Sequence, residues 1–515
     1  MRCYFAIVAL LFTYASAFAQ HDGARDSVRL IADGKYDQVD KTLKKKKPFA
    51  GDAESAFVRM LSFLAQDQLD EAWTQAKQAL DAGLPPERLI VGPRPLLEKL
   101  NDVAAFVTWR EASDLPVLIH GPMVGNVTAT SANLWVRTSR EAVVVAKVEN
   151  GSDSPSVQTQ SGDDFTTVLT VDGLEPDRSY KYSVEVDGET SATGSFRTFP
   201  NKGDGGKFSV GFGGGAGYVP EWESMWDNIL SFQPHAFLML GDNVYIDKPK
   251  DVTTQHYCYY RRQSRPEWKR FTSNTAIFSI WDDHDFGTND CVPGPEIDEP
   301  GWKQDVWKVF RQNWANPGYG MGSEQPGCWY DFSIGDVQFI MLDGRYYRDL
   351  RGGSMLGPVQ KKWLLETLND STATFKVITS PVPFTAGIKK GSRDPWDGFP
   401  EEREEIFQHI ERNKIEGVFL VAADRHRTDL RVTKRPGAYD LYEFESSRLT
   451  NHHTHPVVKT DGLIWGFNQT CSFGLMSFNT TGDDPQVEFR CIGLDGEEKE
   501  TFTLKRSQLS FPNSN

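Results

Sequence analysis

The sequence predicts an α/β fold of helix-covered sheets, preceded by a small all-β sandwich and an N-terminal helical segment. Three observations support this prediction. Apolar residues recur with a helix-like period between residues 24 and 112. Between residues 115 and 200 the period changes to two, which is typical of half-buried strands. After Lys207, short runs that are apolar on both faces alternate with helical stretches, which indicates strands buried on both sides.

The length and composition are those of a folded protein with more than one domain. The chain has 515 residues, which is more than a single hydrophobic core usually organises. Hydrophobic residues make up 39% and charged residues 25%, and this composition excludes a disordered chain. The formal net charge of -15 shows no nucleic-acid-binding footprint. It still permits a small phosphorylated substrate, because bound cations can reverse the local field.

Residues 1–19 are predicted to be a signal peptide. Arg2 precedes an apolar run over residues 4–12, and Ala17-Phe18-Ala19 before Gln20 is a small-x-small cleavage signal. A buried first helix is the alternative. No later apolar run is long enough to span a bilayer, so we expect an exported protein, periplasmic or extracellular. Five cysteines follow this segment, and their odd number and spacing show no disulfide framework.

Residues 20–112 are predicted to be helical. Six apolar residues follow the helical period, namely Ala56, Leu61, Leu64, Leu69, Ala72 and Ala76. The sequence Leu84-Pro85-Pro86 interrupts this pattern, and a further helix is predicted from Pro95 to Trp109. The segment resembles a helical hairpin of the tetratricopeptide kind. Such a segment can dock a protein partner, although the sequence identifies none.

Residues 113–200 are predicted to form the β-sandwich. Residues 132–136 and 180–186 alternate between apolar and polar, and the turn-like sequence Leu174-Glu175-Pro176 precedes the second run. This pattern, with a tyrosine before the last strands, is similar to a fibronectin type III module. The polar segment 201–206 contains glycine and predicts a boundary before a last domain over 201–515.

Charged and polar residues follow four apolar runs of this last domain, at the point where each strand is predicted to end. Its buried strands are predicted at 208–212, 236–240, 276–281, 337–342, 375–379 and 418–421, with more antiparallel strands near Tyr442 and Phe473. The residues that follow are Asp242 and Tyr245, then Asp282, Asp283, His284 and Asp285, then Asp343 and Arg345, and finally Asp424 and His426. Ligands of layered α/β folds bind outside the carboxyl ends of strands, so we expect these side chains at one sheet edge.

These residue types suit the chemistry of phosphoryl transfer. Carboxylates and imidazoles at one edge can hold two cations, and a carboxylate between the two can bridge them. Paired cations clamp the attacking and leaving oxygens and lower the pKa of a bound water, so that hydroxide is available near neutral pH. Arginine can meet the non-bridging phosphate oxygens with its fork of donors.

At these residues the sequence resembles the alkaline phosphatase D family of calcineurin-like metallophosphatases. The matching motifs are, in order, GDNVY (241–245), WDDHDFGTND (281–290), LDGRYYR (342–348), LGPVQKKWL (356–364) and ADRHRTDL (423–430). Five ordered motifs are far more specific than any one of them. The resemblance covers Phe208 to the C-terminal region, and the preceding sandwich also fits this family. It implies that residues 201–515 form a catalytic domain with a four-layer α/β/β/α sandwich, which hydrolyses phosphomonoesters or phosphodiesters.

The resemblance implies two or more metal ions, calcium or iron or both, with manganese and zinc as alternatives. Asp242 corresponds to the carboxylate that bridges the metals, and Tyr245 to the phenolate that this family gives to a ferric ion. Asp424 and His426 match a late D-x-H pair of metal ligands. Without the other motifs, Asp242 after an apolar strand would be interpreted as a turn-forming residue.

The second motif carries the remaining implied roles. Asp282 and Asp283 are adjacent and point in opposite directions on an extended chain, so we expect one ligand, Asp283, and one structural residue. Asn289 resembles a further polar residue near the second metal. His284 matches the histidine that contacts phosphate and protonates the leaving group. Arg345, from the third motif, is a candidate for phosphate contact.

The chain departs from the family pattern after its first strand. The family has a cysteine there that helps to bind iron, and in this sequence Gly215 stands at that position, followed by Ala216-Gly217-Tyr218. The glycines either offer backbone N–H groups to an anion or form a tight turn that requires positive φ. Tyr218 is a conjectural replacement ligand. The departure also leaves open a second function class, an inactive relative that binds a ligand or a partner.

A histidine cluster, His452, His453 and His455, has the composition of a metal site. It follows Ser446-Ser447-Arg448 in a predicted loop. A solvated position or one at the rim of the substrate site is the alternative that we favour.

Overall fold

The structure of the chain is a computed structural model, and it describes residues 22–45 and 51–512. The predicted signal peptide, residues 1–19, lies outside the described residues. No helix within the described ranges is both long and apolar enough to cross a bilayer. All five cysteines from Cys258 to Cys491 are free thiols.

The N-terminal segment is helical, and its helices are shorter than the sequence pattern predicts. They are α1 (Gly23–Ala32), α2 (Val39–Lys45), α3 (Gly51–Ala65), α4 (Leu69–Asp81), α5 (Arg94–Leu97) and α6 (Ala104–Ala112). The period that runs through residues 56–76 is divided into α3 and α4, because Asp67 has a left-handed backbone with φ +57°. The helix predicted from Pro95 to Trp109 is interrupted by a 3-10 helix, Glu98–Asp102. Helices α3 and α4 pack against each other.

Seven strands follow, and they do not form an isolated sandwich. They are β1 (Leu118–Gly125), β2 (Ser131–Thr138), β3 (Val143–Val148), β4 (Val157–Gln158), β5 (Thr166–Asp172), β6 (Ser179–Val186) and β7 (Glu189–Arg197). Strands β4, β3, β6 and β7 form a four-stranded sheet, whereas β1, β2 and β5 belong to a larger sheet. The hydroxyl of Tyr182 donates to the backbone oxygen of Ser273 at 2.9 Å, and the indole of Trp135 donates to that of Gln312 at 2.8 Å.

The rest of the chain alternates strands and helices before it ends in antiparallel strands. The strands are β8 (Lys207–Gly213), β9 (Ala236–Leu240), β10 (Ala276–Ile280), β11 (Tyr330–Ile334), β12 (Val337–Met341), β13 (Phe375–Thr379), β14 (Val418–Ala422), β15 (Thr428–Thr433), β16 (Leu441–Ser446), β17 (Leu463–Phe467), β18 (Ser472–Asn479), β19 (Gln486–Gly493) and β20 (Glu498–Lys505). The helices are α7 (Met225–Ser231), α8 (Val252–Gln263), α9 (Pro266–Thr272), α10 (Asp283–Phe286), α11 (Trp302–Asn313), α12 (Gly357–Asp370) and α13 (Pro400–Arg412).

Two large sheets organise this part of the chain. One has the order β20-β19-β18-β8-β9-β10-β1-β2-β5, and the other β11-β12-β13-β14-β16-β15-β17. Within them β8, β9 and β10 are parallel, as are β12, β13, β14 and β16. Every residue of β9, β10, β12, β13 and β14 is buried. Aromatic rings join the two sheets, since Phe278 stacks on Phe332 at 3.8 Å and Phe339 meets Phe478 edge-on at 5.9 Å.

Strand β1 connects the sandwich to the larger sheet. It lies parallel to β10, with Gly125 paired to Ile277, and antiparallel to β2. The three strands β1, β2 and β5 therefore continue the sheet that carries β9 and β10, and the sandwich shares one of its sheets with the domain that follows.

Candidate metal centre

The four segments predicted to carry the chemistry meet, but they come from two sheets. Strands β9 and β10 lie in the nine-stranded sheet, and β12 and β14 in the seven-stranded sheet. The hydroxyl of Tyr245, after β9, lies 3.2 Å from Nε2 of His426, after β14. Nε of Arg345, after β12, donates to Oδ1 of Asp282, after β10, at 2.5 Å. The expectation of a single sheet edge is therefore wrong, because two facing sheets supply the residues.

Asp242, Asp283 and His284 form a compact group, which we call the acid core. One ligand atom from each lies within 4.8 Å of the others, and all three residues are buried. The backbone N–H of His284 donates to Oδ1 of Asp283 at 3.0 Å and to Oδ1 of Asp242 at 3.4 Å. Burial raises the pKa of Asp242 well above its ordinary value; His284 offsets part of this effect, and Asp283 adds to it. The carboxylate oxygens of Asp242 and Asp283 are donors that fit a bound cation.

Local backbone geometry brings the loop after β9 against the loop after β10. Gly241 has φ +98°, and a Cβ atom there would lie 2.5 Å from Cβ of Asp282, so only glycine permits this approach. The carboxylate of Asp285 accepts from the backbone N–H groups of Asn243 at 2.9 Å and Val244 at 3.0 Å. The turn that presents Asp242 is thus held by α10, which follows the neighbouring strand β10.

Several site residues have backbone conformations that are unusual for side chains of their kind. Positive φ angles occur at Asp242 (+54°), Tyr245 (+54°), Asp247 (+49°), Asp424 (+70°) and His426 (+51°). Such conformations cost about 1–3 kcal/mol each in non-glycine residues and cluster at functional sites. These unusual conformations are concentrated in the loops after β9 and β14, which indicates that the two loops have a functional role beyond connecting the strands.

Asp247 orients the imidazole of His284. Its Oδ1 is hydrogen-bonded to Nδ1 of His284, and the backbone N–H groups of Ile246 and Asp247 donate to the backbone oxygen of His284 at 2.7 and 3.0 Å. Burial lowers the pKa of His284, but the carboxylates of Asp283, Asp242 and Asp247 outweigh it and raise this pKa well above its ordinary value. His284 is therefore held as a charged acid, with Nε2 as the nitrogen left for a substrate.

Helix α1 reaches the same loop. The guanidinium of Arg29 donates from Nε to the backbone oxygen of Ile246 at 2.9 Å and from Nη2 to that of Tyr245 at 3.2 Å. Its Nη2 also meets Oδ2 of Asp247 at 2.5 Å. Arg29 therefore fixes both the loop after β9 and the carboxylate that contacts His284.

A second acidic group adjoins the acid core. It consists of Asp283, Asp290 and Asp394, each with a carboxylate oxygen within 4.8 Å of the others. The ammonium of Lys389 lies 2.8 Å from Oδ1 of Asp290 and 3.1 Å from Oδ2 of Asp394. Lys389 therefore balances part of the negative charge of this group. Asp283 belongs to both groups and links them.

Asn289 and Asp424 lie at the border of these groups. Asn289 is exposed, and the adjacent Asp290 instead donates its backbone N–H to Oδ2 of Asp283 at 2.5 Å. Asp424 is partnered by Nη1 of Arg425 at 3.2 Å. Burial raises the pKa of Asp424, but Arg425 and Lys389 outweigh it and hold this pKa below its ordinary value. The structure thus brings Asp424 towards the acids, and it does not bury Asn289 among them.

Arg345 is enclosed by carboxylates. Its side chain is fully buried, Nε donates to Asp282 and Nη1 lies 2.6 Å from Oδ1 of Asp394. Nη2 lies 3.8 Å from Oδ1 of Asp283 and has no hydrogen-bond partner among the described residues. Only this nitrogen is left for the predicted phosphate contact. Asp282 is held by Arg345 and does not belong to the acid core.

The glycine turn after β8 does not offer the predicted anion-binding nest. The backbone N–H groups of Gly214, Gly215 and Ala216 donate to the backbone oxygens of Ser446 at 3.2 Å, Gly241 at 3.1 Å and Asp242 at 2.8 Å. Gly215 has φ +68°, and a Cβ atom there would lie 3.0 Å from the backbone nitrogen of Arg448. The turn therefore needs glycine for its shape, which favours the structural alternative.

Tyr218 is directed towards a different set of charges. The guanidinium of Arg261 lies over its ring at 3.9 Å. Burial raises the pKa of Tyr218, with contributions from Glu54 and Glu223. None of these residues belongs to the acid core, so the structure does not support Tyr218 as the replacement ligand.

Two histidines of the predicted cluster adjoin His426. The rings of His453 and His455 lie 4.9 and 5.7 Å from its ring, and their own Nε2 atoms are 3.1 Å apart. The backbone oxygen of His453 lies 3.1 Å from Nδ1 of His426. His452 is exposed and packs on Trp222 at 4.1 Å. The cluster is therefore divided between the border of the site and the surface.

Sequence reasoning missed four residues of this region: Arg29, Asp247, Lys389 and Asp394. Asp247 follows Tyr245 by two residues, so its place just after the first motif was a usable signal. Arg29, Lys389 and Asp394 lie outside every apolar run and reach the site only through the tertiary fold, so no local pattern identifies them.

Comparisons with known proteins match most of the described chain. Residues 210–460 match the family model of the PhoD-like phosphatases, and residues 115–203 match a domain of unknown function, DUF7800. Alkaline phosphatase D of Bacillus subtilis (strain 168) is 24% identical over 310 residues, covering 50% of this chain and 52% of that protein. The chain thus matches about half the length of this curated relative.

Two solved structures share the fold. The structure of PhoD superposes with a TM-score of 0.63 at 16% identity, covering 78% of this chain and 92% of that one. The purple acid phosphatase PPD1 from yellow lupin (Lupinus luteus) seeds gives a TM-score of 0.58 at 11% identity, covering 76% and 77%. These similarities confirm the predicted α/β fold class.

Proposed function

We propose, from the premise that this chain belongs through residues 210–460 to the PhoD-like phosphatase family, that it hydrolyses phosphoric esters with cations held at the acid core. One observation carries the proposal. Asp242, Asp283 and His284 lie within 4.8 Å of one another, buried at the meeting point of two sheets. The predicted ligands Tyr245, Asp424 and His426 come to the same region from the loops after β9 and β14.

The donor set fits the cations that the sequence motifs imply. Carboxylate oxygens, a phenol and an imidazole suit two ions, for which we propose calcium or iron or both, with manganese or zinc as alternatives. Such ions, when bound, lower the pKa of a coordinated water and neutralise phosphate charge. The residues that we propose to hold them are Asp242, Tyr245, Asp283, Asp424 and His426. Asn289 would need to turn inward to join them.

The residues of the chain perform the remaining steps of the proposed reaction. His284 is held charged by its carboxylate neighbours, and it donates a proton from Nε2 to the leaving alcohol oxygen. Asp247 fixes the imidazole ring of His284 through Nδ1, so the ring does not have to change rotamer before Nε2 donates its proton. Nη2 of Arg345 is positioned to donate to a phosphate oxygen beside Asp283.

Two further parts of the proposal concern the setting of the enzyme. The order of basic, apolar and small residues in 1–19 supports export to the periplasm or the exterior. The N-terminal helices are a candidate surface for a protein partner, and a small phosphorylated molecule is the proposed substrate.

The proposal is tested with purified protein on chromogenic monoesters and diesters, with added calcium, iron, manganese or zinc. We expect metal-dependent turnover that chelators abolish and that Asp242→Asn lowers by at least 100-fold. Glu366→Gln, an exposed change on α12, is the matched control and leaves the rate unchanged. His284→Gln should lower the rate more for alkyl esters than for nitrophenyl esters, because only a poor leaving group needs the donated proton.

The same preparation tests the alternative of an inactive relative. Elemental analysis of protein from its own host should find stoichiometric metal that Asp242→Asn reduces. Protein without bound metal and without turnover in any combination would favour a binding protein and contradict the hydrolysis.

A further inference from the structure

Arg448 is a buried arginine without an ionic partner in the part of the chain that the structure describes. Eleven arginines in the described ranges are at most 5% exposed. Ten form an ion pair with a carboxylate, namely Arg25, Arg88, Arg137, Arg261, Arg262, Arg345, Arg348, Arg425, Arg427 and Arg431. Arg448 is 5% exposed and has no such pair with any described residue. The fold therefore supplies an anion to every other buried arginine and none to this one.

A buried charge of this kind is costly to a folded protein unless a counter-ion arrives. Nε of Arg448 has no hydrogen-bond acceptor among the described residues, and burial lowers its pKa. The thiol of Cys471 is the neighbouring titratable group, but burial raises its pKa to about 11, so it is uncharged at neutral pH. The missing partner is thus an anion that the described chain does not provide.

The backbone places Arg448 at the candidate metal centre. It follows β16 by two residues, and β16 runs parallel to β14, so both strands end on the same side. The backbone N–H of Leu449 donates to the oxygen of Gly214 at 3.1 Å, and that of Ser472 donates to the oxygen of Arg448 at 3.3 Å. Arg448 also has φ +74°, like the site residues on the neighbouring loops.

The loop that carries Arg448 packs against the glycine turn after β8. A Cβ atom on Gly215 would lie 3.0 Å from the backbone nitrogen of Arg448. The backbone N–H groups of Gly215 and Ala216 in turn donate to the backbone oxygens of Gly241 and Asp242. The loop of Arg448 therefore adjoins the loop that presents Asp242, at the end of the sheet where β14 and β16 end.

We propose that Arg448 binds a phosphate oxygen of the substrate at the mouth of the acid core, which deepens the proposed function and rests on it. The planar guanidinium offers paired donors that match two oxygens of a phosphate group. Arg345 has only one nitrogen without a hydrogen-bond partner, so it cannot bind two phosphate oxygens. Arg448 supplies the paired donors that Arg345 lacks.

The test measures binding of inorganic phosphate to the metal-loaded protein by titration calorimetry. A charge-assisted hydrogen bond to phosphate is worth about 1.5–3 kcal/mol, so Arg448→Gln should raise the Kd roughly 10- to 100-fold. Arg448→Lys should recover only part of the affinity, because an ammonium cannot bind two oxygens in a fork. Arg490→Gln, a half-buried change on β19, is the control and should leave the Kd unchanged.

A thermal-unfolding series separates binding from a structural role. Without phosphate, Arg448→Gln should be at least as stable as the parent chain, because it removes an unpaired buried charge. With phosphate, only the parent should gain stability. An unchanged Kd, or a loss of stability without a change in Kd, overturns the proposal. If phosphate binding depends on Arg448 but the protein shows no turnover, the role of Arg448 is supported and only the proposed hydrolysis is contradicted. If the protein shows turnover but Arg448→Gln leaves the Kd unchanged, the hydrolysis is supported and the role of Arg448 is contradicted.

A second inference concerns helix α1, which lies outside the residues that match the phosphatase family. Arg29 contacts the backbone oxygens of Tyr245 and Ile246 and the carboxylate of Asp247, which in turn holds His284. We infer that Arg29 is a positioning residue, which keeps His284 aligned with the leaving group although it never touches the substrate. This inference also rests on the proposed function.

Arg29→Ala should lower kcat at least tenfold and leave KM nearly unchanged, because the ring of His284 is misaligned while the phosphate contacts remain. Added guanidinium ion should restore part of kcat, and Arg29→Lys should keep part of it. Arg59→Ala, on α3, removes an exposed ion pair with Asp40 of α2 and is the control within the same helical segment. An equal fall in Arg59→Ala, or a loss of activity through KM alone, overturns the inference.

Hydrogen exchange gives a readout that does not need turnover. In Arg29→Ala the amides of residues 243–247 should exchange faster, while those of β13 remain protected. Unchanged exchange in this loop overturns the inference, even if hydrolysis is established. Faster exchange in a protein without turnover supports the positioning role and contradicts the hydrolysis alone.

Discussion

Asp242→Asn should make the metal-free protein more stable and should abolish its stabilisation by cations. At the 4.8 Å limit of the acid core and an effective dielectric of about 20, two unit charges interact by about 3.5 kcal/mol. Attraction to His284 and repulsion from Asp283, Asp282 and Asp285 therefore act in opposite directions on the charged form of Asp242. Burial decides the balance, and an ionised carboxylate in such a place costs several kcal/mol. Asparagine keeps the shape without the charge, so we expect a gain of about 1–3 kcal/mol in the absence of metal.

The measurement is urea unfolding at pH 9, where Asp242 is more fully ionised than at neutral pH, with chelator or with each cation. At 100 times the Kd a bound ion should stabilise the parent chain by about 2.7 kcal/mol and Asp242→Asn by much less. Glu366→Gln is the control and should behave as the parent in both series. The reasoning would be refuted by a variant that is less stable in chelator, or by one that gains as much from the cations as the parent.

Three further predictions concern stability. Arg345→Met should lower the free energy of unfolding by about 3–5 kcal/mol, because it leaves buried carboxylates unpaired, whereas exposed Arg351→Met should change it by less than about 0.5 kcal/mol in the same urea assay. Burial lowers the pKa of His235 to about 4, so the folded state binds this proton less readily than the unfolded state. The free energy of unfolding should therefore fall as the pH drops from about 6.5 through 4. In a pH series this fall should be less steep in His235→Gln than in the parent chain, by up to about 1.4 kcal/mol per pH unit. Gly215→Cys should lower the thermal midpoint, because φ +68° and the 3.0 Å approach to Arg448 leave no place for a side chain; an unchanged midpoint would contradict this account of the turn.

The buried strands could be predicted because their sequence carries the information locally. All six apolar runs of residues 208–421 are strands. They are easy to recognise because a strand that is buried on both faces is apolar at nearly every position. Strands β11, β15, β17, β19 and β20 were not predicted. Each has exposed or half-exposed positions, and all except β17 carry polar residues there, so they lack the continuous apolar pattern of a strand buried on both faces.

The candidate site could likewise be predicted only in part from the sequence. Asp242, Asp283, His284 and His426 directly follow buried strands, so their convergence was predictable from where the strands end. The two-sheet origin was not, because period and burial are alike for strands of either sheet. The role proposed for Arg448 could not be predicted, since the absence of a carboxylate partner is a property of the folded chain.

The shared sheet has a consequence for how this protein can be divided. Strand β1 pairs with β10 at Gly125 and Ile277, on the side that faces away from β9, and β2 and β5 extend the sheet beyond β1. A fragment that starts near residue 201 would lose this pairing and would expose the edge of β10, a buried apolar strand, near Ile277 to water and to other chains. Such a truncated protein is expected to self-associate through this strand, so strands β1, β2 and β5 act as a cap for the region that matches the PhoD-like phosphatase family model.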